Sequence, residues 1–131
     1  MTKIFQISVL LVLFISLRVF GQQKANGGLD KLEDKALTMI DKLPELAKAD
    51  RYYQKHSHSK KHLLTMVAGK PGKGQKYFNI EIAEDNGAAY HTWYSFLVDP
   101  RTGEILYEDY KNDKDIPLNK WRKQKNYLGL D

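Results

Sequence analysis

The sequence contains no cysteine among its 131 residues. This absence excludes disulfide bonds, thiolate metal ligands and thiol nucleophiles. It also excludes the lipid-modified cysteine that anchors a bacterial lipoprotein. We therefore expect the fold to be held by packing and hydrogen bonds alone.

A strong excess of one charge is also missing. The chain has 21 Lys and Arg residues against 16 Asp and Glu, which gives a formal net charge of +5. Two of the basic residues, Lys3 and Arg18, fall in the apolar leader at the start of the chain. The remaining excess is too small and too scattered for the basic stripe of a nucleic-acid binder. We therefore expect no nucleic-acid partner.

The start of the chain has the layout of an export signal. Lys3 precedes an apolar run from Ile4 to Leu17, and Val19 and Gly21 suit the −3 and −1 positions of a signal-peptidase site. The run is shorter than the about 20 residues that cross a membrane. We predict a signal peptide over residues 1–21, cleaved after Gly21. The mature protein is then periplasmic or secreted, with no stable membrane anchor.

The rest of the chain predicts a flexible segment and one domain. Residues 22–28 are polar and end in Asn-Gly-Gly, whereas residues 29–131 form a single domain of about 100 residues. Pro44 ends or kinks a first helix, or opens a second short helix that reaches about Lys55. The apolar stripe of the first helix consists of Leu29, Leu32, Ala36, Met39, Ile40 and Leu43.

After His62 the apolar period changes from about 3.6 to 2, which is typical of strands. Short turns join these strands, so neighbours are antiparallel. A charged loop over Lys111–Asp115 and a short helix over Ile116–Lys125, anchored by Trp121, complete the chain. We predict an α+β fold, with the N-terminal helix packed on a four-stranded antiparallel meander. The predicted strands are His62–Ala68, Gln75–Glu84, Ala89–Val98 and Glu104–Tyr110.

The segment Phe96–Tyr107 reads Phe-Leu-Val-Asp-Pro-Arg-Thr-Gly-Glu-Ile-Leu-Tyr. It resembles the hairpin of PepSY-type and cystatin-like domains, which implies a helix packed on an antiparallel sheet. The chain is also similar to small uncharacterised exported proteins of Gram-negative bacteria. The shared features are Leu43-Pro44-Glu45, the turn Glu84–Gly87 and Trp121-Arg122-Lys123.

Related small folds include inhibitory propeptides and periplasmic immunity proteins. This resemblance implies a protein that binds and blocks another protein in the envelope. The sequence shows no peptidase beside this domain, so we expect an inhibitory role to act on a separate protein.

The residues supply no catalytic set. Asp85 and Asp99 have turn roles that explain them, and no Gly-x-Ser-x-Gly motif is present. We predict that the protein is not an enzyme and needs no cofactor. The acids weighed for hydrolysis are Glu81, Glu84, Asp85, Asp99, Glu104, Glu108 and Asp109.

Three histidines form a His-x-His-x3-His pattern at His56, His58 and His62. Imidazoles that converge on one point bind metal ions, which gives a second functional hypothesis: a sensor or carrier of a metal or small ligand. Neighbouring lysines repel a cation. A solvated histidine-rich connector is therefore the alternative interpretation.

The loop Gly69–Gly74 lacks the order of a phosphate-binding loop and is followed by a strand. We interpret it as a hairpin loop, in which Lys70 and Lys73 present positive charge to an acidic partner.

Aromatic residues are concentrated in the predicted sheet. If Phe78, Ile80 and Ile82 face the helix, then Tyr77, Trp93 and either Tyr110 or Leu106 line the opposite face. Such residues are enriched in recognition surfaces, although they also serve as strand-packing residues. The leading hypothesis is a non-enzymatic protein-binding module, a monomer or homodimer. In its most specific form it is an inhibitor or immunity protein against an envelope-directed toxin or peptidase. The predicted contact residues are Tyr77, Trp93, Tyr110, Lys70, Lys73, Asp85, Asn86 and Arg101.

Overall fold

A computed structural model describes residues 28–57 and 60–131. The chain divides into two compact units, residues 1–32 and 33–131. Of the first unit only residues 28–32 are described, and these are helical. The predicted signal peptide over residues 1–21 lies outside the described residues. The second unit contains the whole sheet.

Among the residues that the structure describes, two helices precede the sheet. Helix α1 covers residues 28–41, and helix α2 covers Pro44–Ser57. Pro44 therefore opens the second helix, where its missing N–H costs no hydrogen bond. The two-helix interpretation of this segment is confirmed. The described helices include none with the length and apolarity needed to span a membrane. The apolar side chains buried in this segment belong to both helices and to Leu43 at the junction between them. Those of the helices are Ala36, Ile40, Ala49 and Tyr53.

Five strands follow in the order β1-β2-β3-β4-β5, and each pairs antiparallel with its neighbours in sequence. A short helix, α3, covers Leu118–Trp121. The α+β meander is thus confirmed, with one strand more than predicted. The strands are β1 (Leu64–Gly69), β2 (Phe78–Asp85), β3 (Tyr90–Asp99), β4 (Glu104–Asp109) and β5 (Lys114–Pro117).

The fifth strand replaces most of the predicted charged loop and the start of the predicted C-terminal helix. The Asp109 carboxylate accepts hydrogen bonds from the backbone N–H and side chain of Asn112, at 3.2 and 2.7 Å. Asp113 has a left-handed φ of 51°. These features reverse the chain within a few residues, so Lys114 pairs with Asp109. The prediction of a loop to Asp115 was therefore wrong. The predicted short C-terminal helix is present, with the narrower bounds Leu118–Trp121 in place of Ile116–Lys125.

The core lies between the helices and one face of the sheet. Phe78, Ile80 and Phe96 are fully buried on this face. Trp121 of α3 is 1% exposed and stacks on Tyr107, with ring centroids 4.5 Å apart. The predicted role of Trp121 as an anchor is confirmed. The C-terminal helix thus completes the helix-side core.

A β-bulge in β3 changes which residues face the helices. Ile82 pairs with Tyr94 and Ala83 pairs with Thr92, which leaves Trp93 as an extra residue. The Trp93 indole packs edge-on against Tyr53 of α2, with centroids 5.6 Å apart. The prediction that Trp93 lines the face opposite the helices was wrong, because the bulge shifts the alternation by one residue.

Candidate functional site

The sheet face opposite the helices, called the open face here, is formed by alternate residues of the strands. No described helix lies on it. Of its central residues, Ser95 is buried and the others are partly exposed. The open face is therefore accessible within the part of the chain that the structure describes. Its central residues are Met66, Asn79, Glu81, Ser95, Leu97, Leu106 and Glu108.

A hydrogen-bond network joins three strands at the centre of the open face. Oε1 of Glu108 accepts bonds from Nδ2 of Asn79 at 2.5 Å and from Oγ of Ser95 at 2.7 Å. The Tyr110 hydroxyl lies 3.2 Å from Oγ of Ser95 and 3.4 Å from Oε1 of Glu108. The network fixes these polar groups before any ligand arrives.

An apolar row crosses the sheet beside this network. Leu97 pairs with Leu106, and Leu106 pairs with Pro117 of β5. Both leucines are partly exposed. The row and the network together give the open face the mixture of apolar area and fixed polar groups that is typical of a binding surface.

A groove of about 590 Å³ lies where the open face meets the loop between β1 and β2. Tyr77 lines the groove and its hydroxyl donates a hydrogen bond to the Glu104 carboxylate, while Nζ of Lys76 lies 3.6 Å from Oε1 of the same carboxylate. The bond to Glu104 raises the pKa of Tyr77, so the hydroxyl stays protonated. The other lining residues are Gly69, Lys70, Gly74, Gln75, Lys76, Asn79 and Leu97.

Two of the three predicted aromatic contact residues lie at the open face. Tyr77 is held by Glu104 at the start of β4, and Tyr110 follows the end of the same strand. Tyr110 is 65% exposed. The two tyrosines therefore bracket the face along β4, whereas Trp93 packs against α2.

The predicted turn residues shape their own loops. The Asp85 carboxylate accepts a bond from the N–H of Gly87 at 2.9 Å, and Asn86 caps the next two backbone N–H groups. Gly87 has a φ of 89°, which favours glycine. Arg101 is exposed, and its backbone N–H donates to Asp99. Asp85 and Asn86 therefore have structural roles, while the Arg101 side chain stands at the surface of the β3–β4 turn.

The two predicted loop lysines differ in their surroundings. Nζ of Lys70 lies 2.5 Å from the Glu33 carboxylate, which ties the loop after β1 to α1. Lys73 is exposed at the tip of the same loop. Part of the predicted positive charge is thus balanced within the protein.

The histidines take separate partners. Nδ1 of His56 bonds the backbone carbonyl of Tyr52 at 2.8 Å, and Nδ1 of His62 bonds the Asp50 carboxylate at 2.7 Å. His58 lies outside the described residues. Over residues 28–57 and 60–131, no group of three or more His, Asp or Glu side chains is placed to hold a metal ion. The described residues therefore provide no arrangement of ligands that supports the metal-binding hypothesis.

One ion pair was missed by the sequence analysis although its motifs were noted. Glu45 is 2% exposed and accepts two hydrogen bonds from the guanidinium of Arg122, with Nη2 to Oε2 at 3.0 Å. The Tyr127 hydroxyl lies 3.4 Å from the same carboxylate. Burial alone raises the pKa of Glu45, but the bonds from Arg122 and the backbone outweigh it and lower the pKa. The conspicuous Leu-Pro-Glu and Trp-Arg-Lys motifs are joined by this pair.

Ser95 is the hydroxyl-bearing residue at the centre of the open face. Ser95 is 1% exposed and is hydrogen-bonded to a carboxylate without a histidine partner, so its hydroxyl is not presented as a nucleophile. The resemblance to PepSY-type and cystatin-like domains stays a prediction. No family model, no curated protein and no solved structure matches the chain.

Proposed function

We propose that this is a non-enzymatic envelope protein that binds another protein through its open face and the adjacent loops. In its most specific form it is an inhibitor or immunity protein that blocks an envelope-directed toxin or peptidase. The observation that carries the proposal is the open face itself. It is a sheet surface that no described helix covers, with partly exposed apolar side chains beside polar groups that are hydrogen-bonded to one another.

The apolar row supplies binding energy. Full burial of one leucine side chain contributes about 1.5–3 kcal/mol. Leu97 and Leu106 are partly exposed, so a partner that covers both gains a fraction of this from each. Tyr77 and Tyr110 extend the contact along β4, and tyrosine is enriched in protein interfaces.

The polar network supplies specificity. Glu108, Ser95 and Asn79 are already hydrogen-bonded to one another, so little side-chain freedom is lost when a partner docks. A partner that leaves these groups without matching donors or acceptors pays for their desolvation. A preorganised polar centre beside a leucine row therefore favours one partner over others.

The sequence supports the compartment and the class of protein. The leader over residues 1–21 predicts export, and the domain is small and lacks cysteine. A small exported domain without a catalytic set acts through contact with a molecule in the same compartment. A toxin or peptidase that enters the envelope is such a molecule.

The proposal is tested with one charge placed at two positions. Leu97→Arg puts a cation into the apolar row, whereas Ala47→Arg puts the same cation on the exposed side of α2. We expect envelope extracts to yield a protein retained by the wild type and by Ala47→Arg but not by Leu97→Arg. Circular dichroism confirms that both variants are folded.

The captured protein is then purified and assayed for toxin or peptidase activity with and without the wild type. Inhibition by the wild type and by Ala47→Arg, but not by Leu97→Arg, supports the inhibitor form. Equal retention by all three proteins, or no retained protein, contradicts a role for the open face.

A further inference from the structure

The two edges of the sheet are protected to different degrees. Edge strand β5 has four residues and contains Lys114, Asp115 and Pro117. Charge, proline and short length are the features that keep a sheet edge from pairing with another chain. Edge strand β1 has six residues, Leu-Thr-Met-Val-Ala-Gly, without charge or proline. Only the irregularity between Val67 and Gly69 interrupts it.

The outer backbone of β1 is available for pairing. Within residues 28–57 and 60–131, the strand has β2 as its one neighbour in the sheet. Among the described residues, no backbone hydrogen bond outside this ladder involves Leu64–Gly69. Leu64 is 39% exposed, and Ala68 is also exposed. The outer N–H and C=O groups of β1 thus form a template for an added strand.

Positive charge stands at both ends of this template. Lys60 and Lys61 precede β1, and Lys70 and Lys73 follow it. Three carboxylates reduce this charge. Asp50 bonds His62 near the first end, and Glu33 pairs with Lys70 at the other. Asp41 accepts a hydrogen bond from the Thr65 hydroxyl of β1 at 3.0 Å. Lys60 and Lys73 are exposed and carry the excess. An incoming strand therefore meets lysines at each of its ends, whichever direction it runs.

The same charges disfavour a second copy of this chain. Two copies of β1 paired antiparallel place Lys60 and Lys61 of one copy opposite the loop that carries Lys70 and Lys73 in the other. Like charges that face each other across strands destabilise a pairing. The favoured occupant is uncharged at its centre and acidic at its ends.

We propose that the outer edge of β1 binds an extended segment of a partner protein, apolar or β-branched at its centre and carrying Asp or Glu at both ends. This inference rests on the proposed function, because it names the chemistry of the partner. Backbone hydrogen bonds to β1 supply affinity, and the exposed charges of Lys60 and Lys73 supply selectivity. The added strand extends the sheet beside the open face.

Three synthetic peptides test the inference by amide chemical-shift titration of the ¹⁵N-labelled protein. The first is Asp-Glu-Val-Thr-Val-Thr-Val-Glu-Asp with blocked termini. The second replaces its four acids with lysine, and the third is the acidic peptide N-methylated at all five central residues, so that neither of its edges has central N–H donors. We expect the acidic peptide to shift the amides of β1 and to bind at least tenfold more tightly than the lysine peptide. N-methylation removes this binding, because a methylated amide cannot donate to a strand edge.

A paired charge reversal in the protein supplies the matched control. Lys60→Glu with Lys73→Glu is expected to invert the preference, so that the lysine peptide binds more tightly. Lys111→Glu with Lys114→Glu makes the same change at the opposite edge and is expected to leave the preference unchanged. All four lysines are exposed, so the substitutions leave the core intact.

Three results overturn the inference: no shift of β1 amides at millimolar acidic peptide, equal binding of both charge forms, or undiminished binding of the N-methylated peptide. These outcomes are separate from the fate of the open face. If the acidic peptide fails while Leu97→Arg still loses its envelope protein, the edge inference falls and the proposed function stands. If the Leu97→Arg variant still retains the envelope protein while the acidic peptide binds β1, the role of the open face falls and the edge inference stands.

Discussion

Arg122 binds the buried carboxylate of Glu45 through two hydrogen bonds and so joins the start of α2 to the segment after α3. Glu45 lies in the first turn of its helix, where a negative charge also favours the helix dipole. The pair fastens the last part of the chain to the helical layer.

Removal of Arg122 should therefore be costly. Loss of one partner of a buried ion pair costs about 3–5 kcal/mol. The Arg122 side chain is 38% exposed, so water reaches it, and we expect about 2–3 kcal/mol for Arg122→Ala. Urea unfolding measures the difference. Arg122→Lys should recover part of the loss, and an Arg122→Ala protein as stable as the wild type would contradict the role of the pair.

Acid should weaken the same contact. The pKa of Glu45 is lowered from its ordinary value of 4.5, because the hydrogen bonds from Arg122 outweigh the opposite effect of burial. A carboxyl group with a lowered folded pKa stabilises the protein above its unfolded pKa, and this contribution is lost as the pH falls through the folded pKa. The wild type should exceed Glu45→Gln in unfolding free energy at neutral pH. Unfolding measured from neutral pH into acid should show this gap closing below pH 4.5; a constant gap would refute the assignment.

Tyr94 offers a readout at high pH. Its hydroxyl donates to the carbonyl of Leu128 at 2.6 Å, and burial, with smaller effects of Tyr107 and Tyr127, raises its pKa to about 12. Because the pKa of Tyr94 is raised in the folded state, its hydroxyl contributes to the free energy of unfolding in full below the ordinary pKa of 10. This contribution is lost as the pH rises towards 12. Ultraviolet titration of the wild type should contain a step near pH 12 that Tyr94→Phe lacks. That variant should also lose about 1 kcal/mol of stability at neutral pH.

Trp93 should matter for stability and not for recognition. Truncation of a buried aromatic residue costs about 3–5 kcal/mol, and Trp93 is only partly buried, so we expect about 2 kcal/mol for Trp93→Ala. Trp93→Phe should retain most of the contact with Tyr53. Thermal unfolding measures the stability, and partner capture is compared where both proteins are folded. Unchanged stability with lost capture would place Trp93 in the binding surface instead.

Local sequence signals predicted most of the fold. The junction at Pro44, the Asp-Asn-Gly turn before β3 and the apolar alternation of β2 depend on neighbouring residues, and each appears in the structure. Strand β5 was missed because its stability comes from pairing with β4 as well as from its own composition. A four-residue segment with two charges and a proline carries little strand signal.

The candidate site was only partly predictable, for the same reason. Tyr77 and Tyr110 were placed on the open face by alternation alone, and the structure agrees. Alternation failed at Trp93 because one extra residue in β3 reverses every side chain beyond it. The Glu45–Arg122 pair joins residues 77 positions apart, and no local pattern reports such a contact.

The order β1-β2-β3-β4-β5 has a kinetic consequence. Each strand pairs only with its neighbours along the chain. Each successive hairpin therefore forms by closing one short loop. Proteins dominated by such near-sequence contacts fold quickly for their size. The Glu45–Arg122 bonds close a far longer loop, and we expect them to form after the rate-limiting step. Loss of Arg122 should then accelerate unfolding and leave the folding rate nearly unchanged. The contact between Glu45 and Arg122 therefore slows unfolding and lengthens the lifetime of the folded protein.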